Sequence, residues 1–100
     1  MNLYQLVARL EQEWDLGGTL GNIREGIFTP EAGNTFLSFL NEIQLDDEMI
    51  PKRLLSLLWY LPIFLEWQRE RVAEKSENDG SYDGFITSVL NTLEEVLGMP

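Results

Sequence analysis

Apolar residues recur along this chain with the period of an α-helix, in blocks separated by glycine, proline and acidic residues. Leu3, Leu6, Val7, Leu10 and Trp14 fall at i, i+3, i+4, i+7 and i+11, one stripe of a helix that Gly17-Gly18 ends. Leu20, Ile23 and Ile27 repeat the pattern over a shorter segment, weakened by Gly21 and Gly26. Thr29-Pro30-Glu31 is a helix start: a capping hydroxyl, proline at the first helical position and an acid in the first turn. Phe36, Phe39, Leu40 and Ile43 then line one face. Asp46-Asp47-Glu48 makes a loop, and Ile50-Pro51 opens the next helix.

That fourth helix, from about 51 to 75, is the centre of the chain. Leu54, Leu57, Leu58, Leu61, Phe64, Leu65 and Val72 form one stripe, while Tyr60, Ile63 and Trp67 form a second on roughly the opposite side. Such a helix is apolar nearly all round in its first half, as in a helix buried on two sides. Pro62 cannot donate to the carbonyl of Leu58 and predicts a kink there. The last helix, about 82 to 97, puts Tyr82, Phe85, Ile86, Val89, Leu90, Leu93, Val96 and Leu97 on one face, with Gly98 as its C-cap. No strand-like alternation and no internal repeat competes. The expectation is a single all-α domain over residues 1–100: a compact bundle of four to five helices around a buried, Pro-kinked central helix.

Composition narrows what such a bundle does. The 100 residues contain no histidine and no cysteine, and seven Lys and Arg stand against seventeen Asp and Glu, a formal net charge of −10. Histidine and cysteine supply most general bases, nucleophiles of matched pKa and transition-metal ligands. Without them, packing alone must hold the fold, and no cofactor or metal is expected. The charge disfavours nucleic acid and anionic membranes as ligands and favours a basic protein partner through electrostatic steering. Met1-Asn2-Leu3-Tyr4 shows no basic leader region, and the apolar stretch Leu54–Leu65 is too short to span a bilayer. A cytoplasmic location is expected.

Three candidate chemistries are testable against the spacing. Asp79-Gly80-Ser81-Tyr82-Asp83-Gly84-Phe85-Ile86-Thr87 resembles an EF-hand loop in its oxygen ligands at loop positions 1, 3 and 5 and its glycine at 6. Position 12, where a bidentate glutamate is required, is Leu90. The bland reading makes Asp79, Ser81 and Asp83 turn and helix-start residues. Glu66, Glu70, Glu74 and Glu77 lack the histidine partners of helix-bundle metal sites and, interleaved with Arg69, Arg71 and Lys75, read as a solvated helix end. Paired carboxylates can run glycoside hydrolysis without histidine, but that needs a substrate cleft seldom made by one small helical domain. No enzymatic activity is expected.

Two features remain as binding candidates. The stripe Tyr60, Ile63 and Trp67 is either covered by another helix of the domain, the commoner outcome, or left open to anchor a partner. The acidic set Glu42, Asp46, Asp47 and Glu48 is either a solvated loop or, beside exposed aromatics, the face of an inhibitor of a basic protein. In size, helical pattern, missing His and Cys, and the acidic runs Glu42–Glu48 and Glu66–Glu77, the chain resembles the small acidic helical immunity proteins with which bacteria neutralise their own toxins. The resemblance is one of bulk properties over the whole chain. It implies a nuclease-like toxin with a basic cleft, blocked stoichiometrically, with carboxylates standing in for phosphates and Tyr60 or Trp67 as anchor. Two alternatives share the sequence features: a nucleic-acid mimic that occupies a DNA- or RNA-binding protein, and a bundle that self-associates as a homodimer through the Tyr60–Trp67 stripe.

Overall fold

Helices form where the start and stop signals stand. The computed structural model describes residues 2–46, 48–76 and 80–100, and every regular element among them is a helix. The order is α1 (Leu3–Trp14), α2 (Thr19–Arg24), α3 (Pro30–Asn41), α4 (Lys52–Trp59), α5 (Leu61–Trp67), α6 (Arg69–Lys75) and α7 (Ser81–Leu97). Single residues, Tyr60 and Gln68, separate α4, α5 and α6. Both keep right-handed backbone angles. These three segments therefore follow one bent path, and the bundle has five rods.

The first break in that path is the kink expected of the central helix over 51–75, and a second break adds to it. Pro62 has no N–H for the Leu58 carbonyl, and α4 stops at Trp59, inside the turn that Pro62 disrupts. The Phe64 amide still donates to the Tyr60 carbonyl at 2.9 Å, so the helix restarts at once. The second break, at Gln68, has neither proline nor glycine behind it, and no sequence signal announced it.

Local caps fix the other ends. The Asn2 side chain accepts from the Gln5 amide at 2.8 Å while the Gln5 side chain accepts from the Asn2 amide at 3.0 Å, a reciprocal cap on α1. Thr29 Oγ1 accepts from the Ala32 amide at 3.2 Å, as its position before Pro30 predicts. Gly21, read from sequence as a weak point of α2, is there because α2 crosses the end of α1 closely. A Cβ at that position would lie 2.0 Å from the Asp15 carbonyl oxygen.

α3 and α7 form the most extensive helix pair, α1 packs on α4 and α2, and α5 packs on α7. One connected core joins them, with Leu10, Leu20, Ile23, Phe36, Leu40, Leu54, Leu58, Leu61, Leu65 and Val89 fully buried. The radius of gyration is 13.4 Å, that of a compact chain of this length. Buried and half-buried polar groups tie the rods together. Tyr82 Oη donates to the Leu65 carbonyl at 2.7 Å, joining α7 to α5. Trp14 Nε1–H donates to the Leu57 carbonyl at 3.2 Å, joining α1 to α4. Ser76 Oγ donates to Gly26 O at 2.8 Å and accepts from the Phe28 amide at 3.0 Å.

Three apolar residues assigned to buried stripes are on the surface instead. Ile27 is half exposed because α2 ends at Arg24 and the chain turns at Gly26, whose φ is +84°. Leu90 and Leu97 are exposed on the flank of α7, because its apolar stripe is wider than the arc that α3 and α5 cover. Thr92 is buried in their place and donates to Asn41 Oδ1 at 3.2 Å. Among the described residues, no helix is long and apolar enough to cross a membrane.

Candidate functional site: an uncovered aromatic ridge and an acidic side

The second stripe of the central segment is open. Successive residues four apart lie along one ridge of a helix, and here those residues are Leu55, Trp59, Ile63 and Trp67, exposed to 42, 52, 37 and 72 %. The inner side of the same segment is buried against the core, so the central helix is covered on one side rather than two. Tyr60, half-buried at the break, is the hub. Its ring centroid lies 5.7 Å from Trp59, 6.2 Å from Trp14 and 6.4 Å from Trp67. All three tryptophans of the chain therefore gather at one place. Trp14 also meets Phe64 edge-on at 4.7 Å, anchoring the cluster to the core.

Two arginines border one end of this cluster. A shallow concavity of about 380 Å³ between Trp14, Trp59 and Tyr60 has Arg24 and Arg53 on its rim. The Arg24 guanidinium lies 5.6 Å from the Phe64 ring centroid, a cation–π arrangement. Arg53 pairs with Glu11 at 3.6 Å. Arg71 donates to the Arg24 carbonyl at 2.7 Å and holds α6 against α2.

The acidic candidates are elsewhere. Glu42, the C-cap of α3, and Asp46 line a cleft of about 330 Å³ with Leu3, Leu6, Phe39 and Ile43. Glu48 is exposed in the following loop, and Asp47 lies outside the described residues. Leu3 marks this cleft and Trp14 marks the aromatic cluster. They stand at opposite ends of α1, about 16 Å apart along its axis. Glu42 is thus brought to Asp46, and Tyr60 to Trp67, with the two pairs at opposite ends of α1 and an apolar concavity of about 500 Å³, lined by Leu3, Val7, Pro51 and Arg53, between them.

A larger charge division runs through the molecule. Residues 25–51 and 76–100 hold eleven Asp and Glu and no Lys or Arg, a formal charge of −11. The remaining residues, 1–24 and 52–75, hold six acids and all seven bases, a formal charge of +1. The two acidic stretches contain α3 and α7, which pack on each other, so the fold places them side by side. Every one of their carboxylates among the described residues is exposed, Glu31, Glu42, Asp46, Glu94 and Glu95 included.

The remaining sequence candidates take structural roles. Asp79 and Glu77 lie outside the described residues. Gly80 caps α7 with φ +86° and the helix begins at Ser81, so EF-hand positions 3 to 12 are helix rather than ligand loop. Leu90, placed on the core face by the sequence pattern, is exposed, and Asp83 pairs with Arg69. Arg69 also binds Glu66 through two hydrogen bonds of 2.9 and 3.1 Å, which hold the Glu66 carboxyl below the usual range. Burial pushes the Tyr82 phenol up. Among the described residues, no group of three or more acidic side chains is placed to hold a metal ion.

Sequence reasoning missed Leu55 and Trp59 as parts of the ridge and Trp14 as part of the aromatic cluster. The four-residue spacing from Leu55 to Trp67 was the available signal for two of them; Trp14 arrives from α1 and had none. Against protein-family models, curated proteins and solved structures the chain finds no match, and its site is read from its own geometry.

Proposed function

We propose that the chain is a non-catalytic binding protein that holds a basic protein partner one-to-one through its α3·α7 side, in the manner implied by its resemblance to bacterial immunity proteins. The observation that carries this reading is the division of charge: eleven carboxylates and no base on the stretches that contain α3 and α7. Long-range attraction from such a side raises encounter rates with a basic surface and orients it, and it rejects acidic competitors. Glu42 and Asp46 are the bound carboxylates, with the apolar floor of their cleft, Leu6 and Phe39, beneath them. Tyr60 and Trp67, at the other end of α1, are given no part in this contact.

Tagged protein recovered from the cells that make it, at low and then high salt, is expected to bring down one basic protein at equal stoichiometry. That protein's identity separates a toxin from another nucleic-acid-binding target. With it purified, combined Glu42→Lys, Asp46→Lys and Glu48→Lys substitutions are expected to weaken binding at least about tenfold and to flatten its salt dependence. Recovery of the bait alone, or an affinity indifferent to the triple reversal, rejects the reading.

A further inference from the structure

The uncovered ridge on α4 and α5 has a symmetry of its own. Counted outward from Leu61, Trp59 and Ile63 stand two residues away on either side, Leu55 and Trp67 six away, and Lys52 and Glu70 nine away. An antiparallel copy of the same segment centred on Leu61 therefore sets Trp59 against Ile63, Leu55 against Trp67 and Lys52 against Glu70, each pair occurring twice. That is the rule of an isologous two-fold interface, in which residue i meets j and j meets i.

We propose that this face is covered by a second copy of the chain, in a symmetric dimer with α4–α5 antiparallel to its mate. Three observations select that occupant. The ridge is apolar along about 18 Å, with Trp59 and Trp67, the residue type most often dominant at contacts, largely in water. It stands on the part of the chain whose formal charge is +1, so two molecules of net charge −10 meet there with less repulsion than through their acidic stretches. Its two ends carry opposite charge: Lys52 and Glu70 are both exposed, and neither belongs to an ion pair among the described residues. At a crossing angle of about 20° the ends stay within reach of these long side chains. A face one helix wide buries less than the roughly 800 Å² per partner of a standard interface, so the dimer forms as a function of concentration.

The test is sedimentation equilibrium of the full chain from about 10 µM to about 1 mM. The apparent mass is expected to rise from 11.6 kDa toward twice that value, with a blue shift of tryptophan emission as Trp59 and Trp67 leave water. Ile63→Glu is expected to weaken association at least about tenfold with an unchanged circular dichroism spectrum, and Trp67→Ala, at a more exposed position, to do the same should Ile63→Glu perturb the fold. Lys52→Glu and Glu70→Lys are each expected to weaken the dimer and, combined, to restore it. A mass of 11.6 kDa at the highest concentration overturns the proposal, as does a dimer indifferent to these ridge substitutions. Charge swaps that fail to restore each other overturn the antiparallel register. The reversals at Glu42, Asp46 and Glu48 leave this dimer intact, which keeps its fate distinct from that of the basic-partner reading.

Discussion

The α3·α7 side and the α4–α5 ridge use aromatic residues in opposite ways. Phe28, Phe36, Phe85 and Tyr82 pack ring on ring at 5.1 to 6.3 Å where α3 meets α7, every one of them buried. On the ridge, Trp59 and Trp67 lean on Tyr60 with their outer faces in water. All five phenylalanines are core and none of the three tryptophans is. Phenylalanine has no polar atom to leave solvated, whereas tryptophan and tyrosine carry an N–H or O–H that suits a surface where water is exchanged for a partner. Charge follows the same division along the chain, since the stretches that contain α3 and α7 hold acids and no base, while Arg9 and Arg69 reach Phe39 and Asp83 from α1 and α6.

Stability separates the two regions most sharply. Phe36→Ala should cost about 3–5 kcal/mol, because a fully buried ring leaves a cavity between α3 and α7. Trp67→Ala should change stability by no more than about 0.5 kcal/mol, since that ring is 72 % exposed. Denaturant midpoints of the two variants measure this; equal losses would erase the distinction between core and ridge aromatics.

Binding variants cross the comparison next. The triple reversal at Glu42, Asp46 and Glu48 should cost at least about tenfold in affinity for a basic partner and nothing in self-association, with Ile63→Glu doing the reverse. Tryptophan emission gives an independent readout. All three tryptophans surround Tyr60, so a partner on the α3·α7 side should leave the spectrum unmoved while dimerisation shifts it.

Smaller again is the seam between the regions, where Tyr82 donates to Leu65. Tyr82→Phe should cost about 1 kcal/mol at neutral pH. Burial raises the phenol above its ordinary value near 10, because the folded state disfavours the phenolate. The contribution is therefore complete below about pH 10 and is lost as the pH climbs beyond it. Unfolding midpoints from pH 7 to 11 should fall less steeply for the phenylalanine variant at the alkaline end. Smallest is Glu66→Gln, which breaks an exposed pair with Arg69 and should leave the denaturant midpoint nearly unchanged.

Much of the fold was legible because helix signals are local. Thr29-Pro30 starts α3 and Gly98 ends α7 where the sequence places them, and Leu10, Leu58 and Val89 are core because the 3.6-residue period puts them on one face. Periodicity names the faces of a helix but not the neighbours that cover them. Leu90 and Leu97 obey the α7 stripe and still meet water, because the adjoining rods do not extend over them. The break at Gln68 has no local signature, and Gly21 looked like a flaw until the carbonyl of Asp15 was found against it.

For the candidate site the division is the same. The sequence alone determined that Tyr60, Ile63 and Trp67 share a face, that the chain carries a charge of −10, and that neither histidine nor cysteine is available for chemistry. Only the tertiary structure decided that this face stays open, that Trp14 joins it from 46 residues before Tyr60, and that Glu42 and Asp46 stand at the other end of α1. Side-chain period is a property of one helix. Exposure and proximity are properties of how helices far apart in the chain pack on one another.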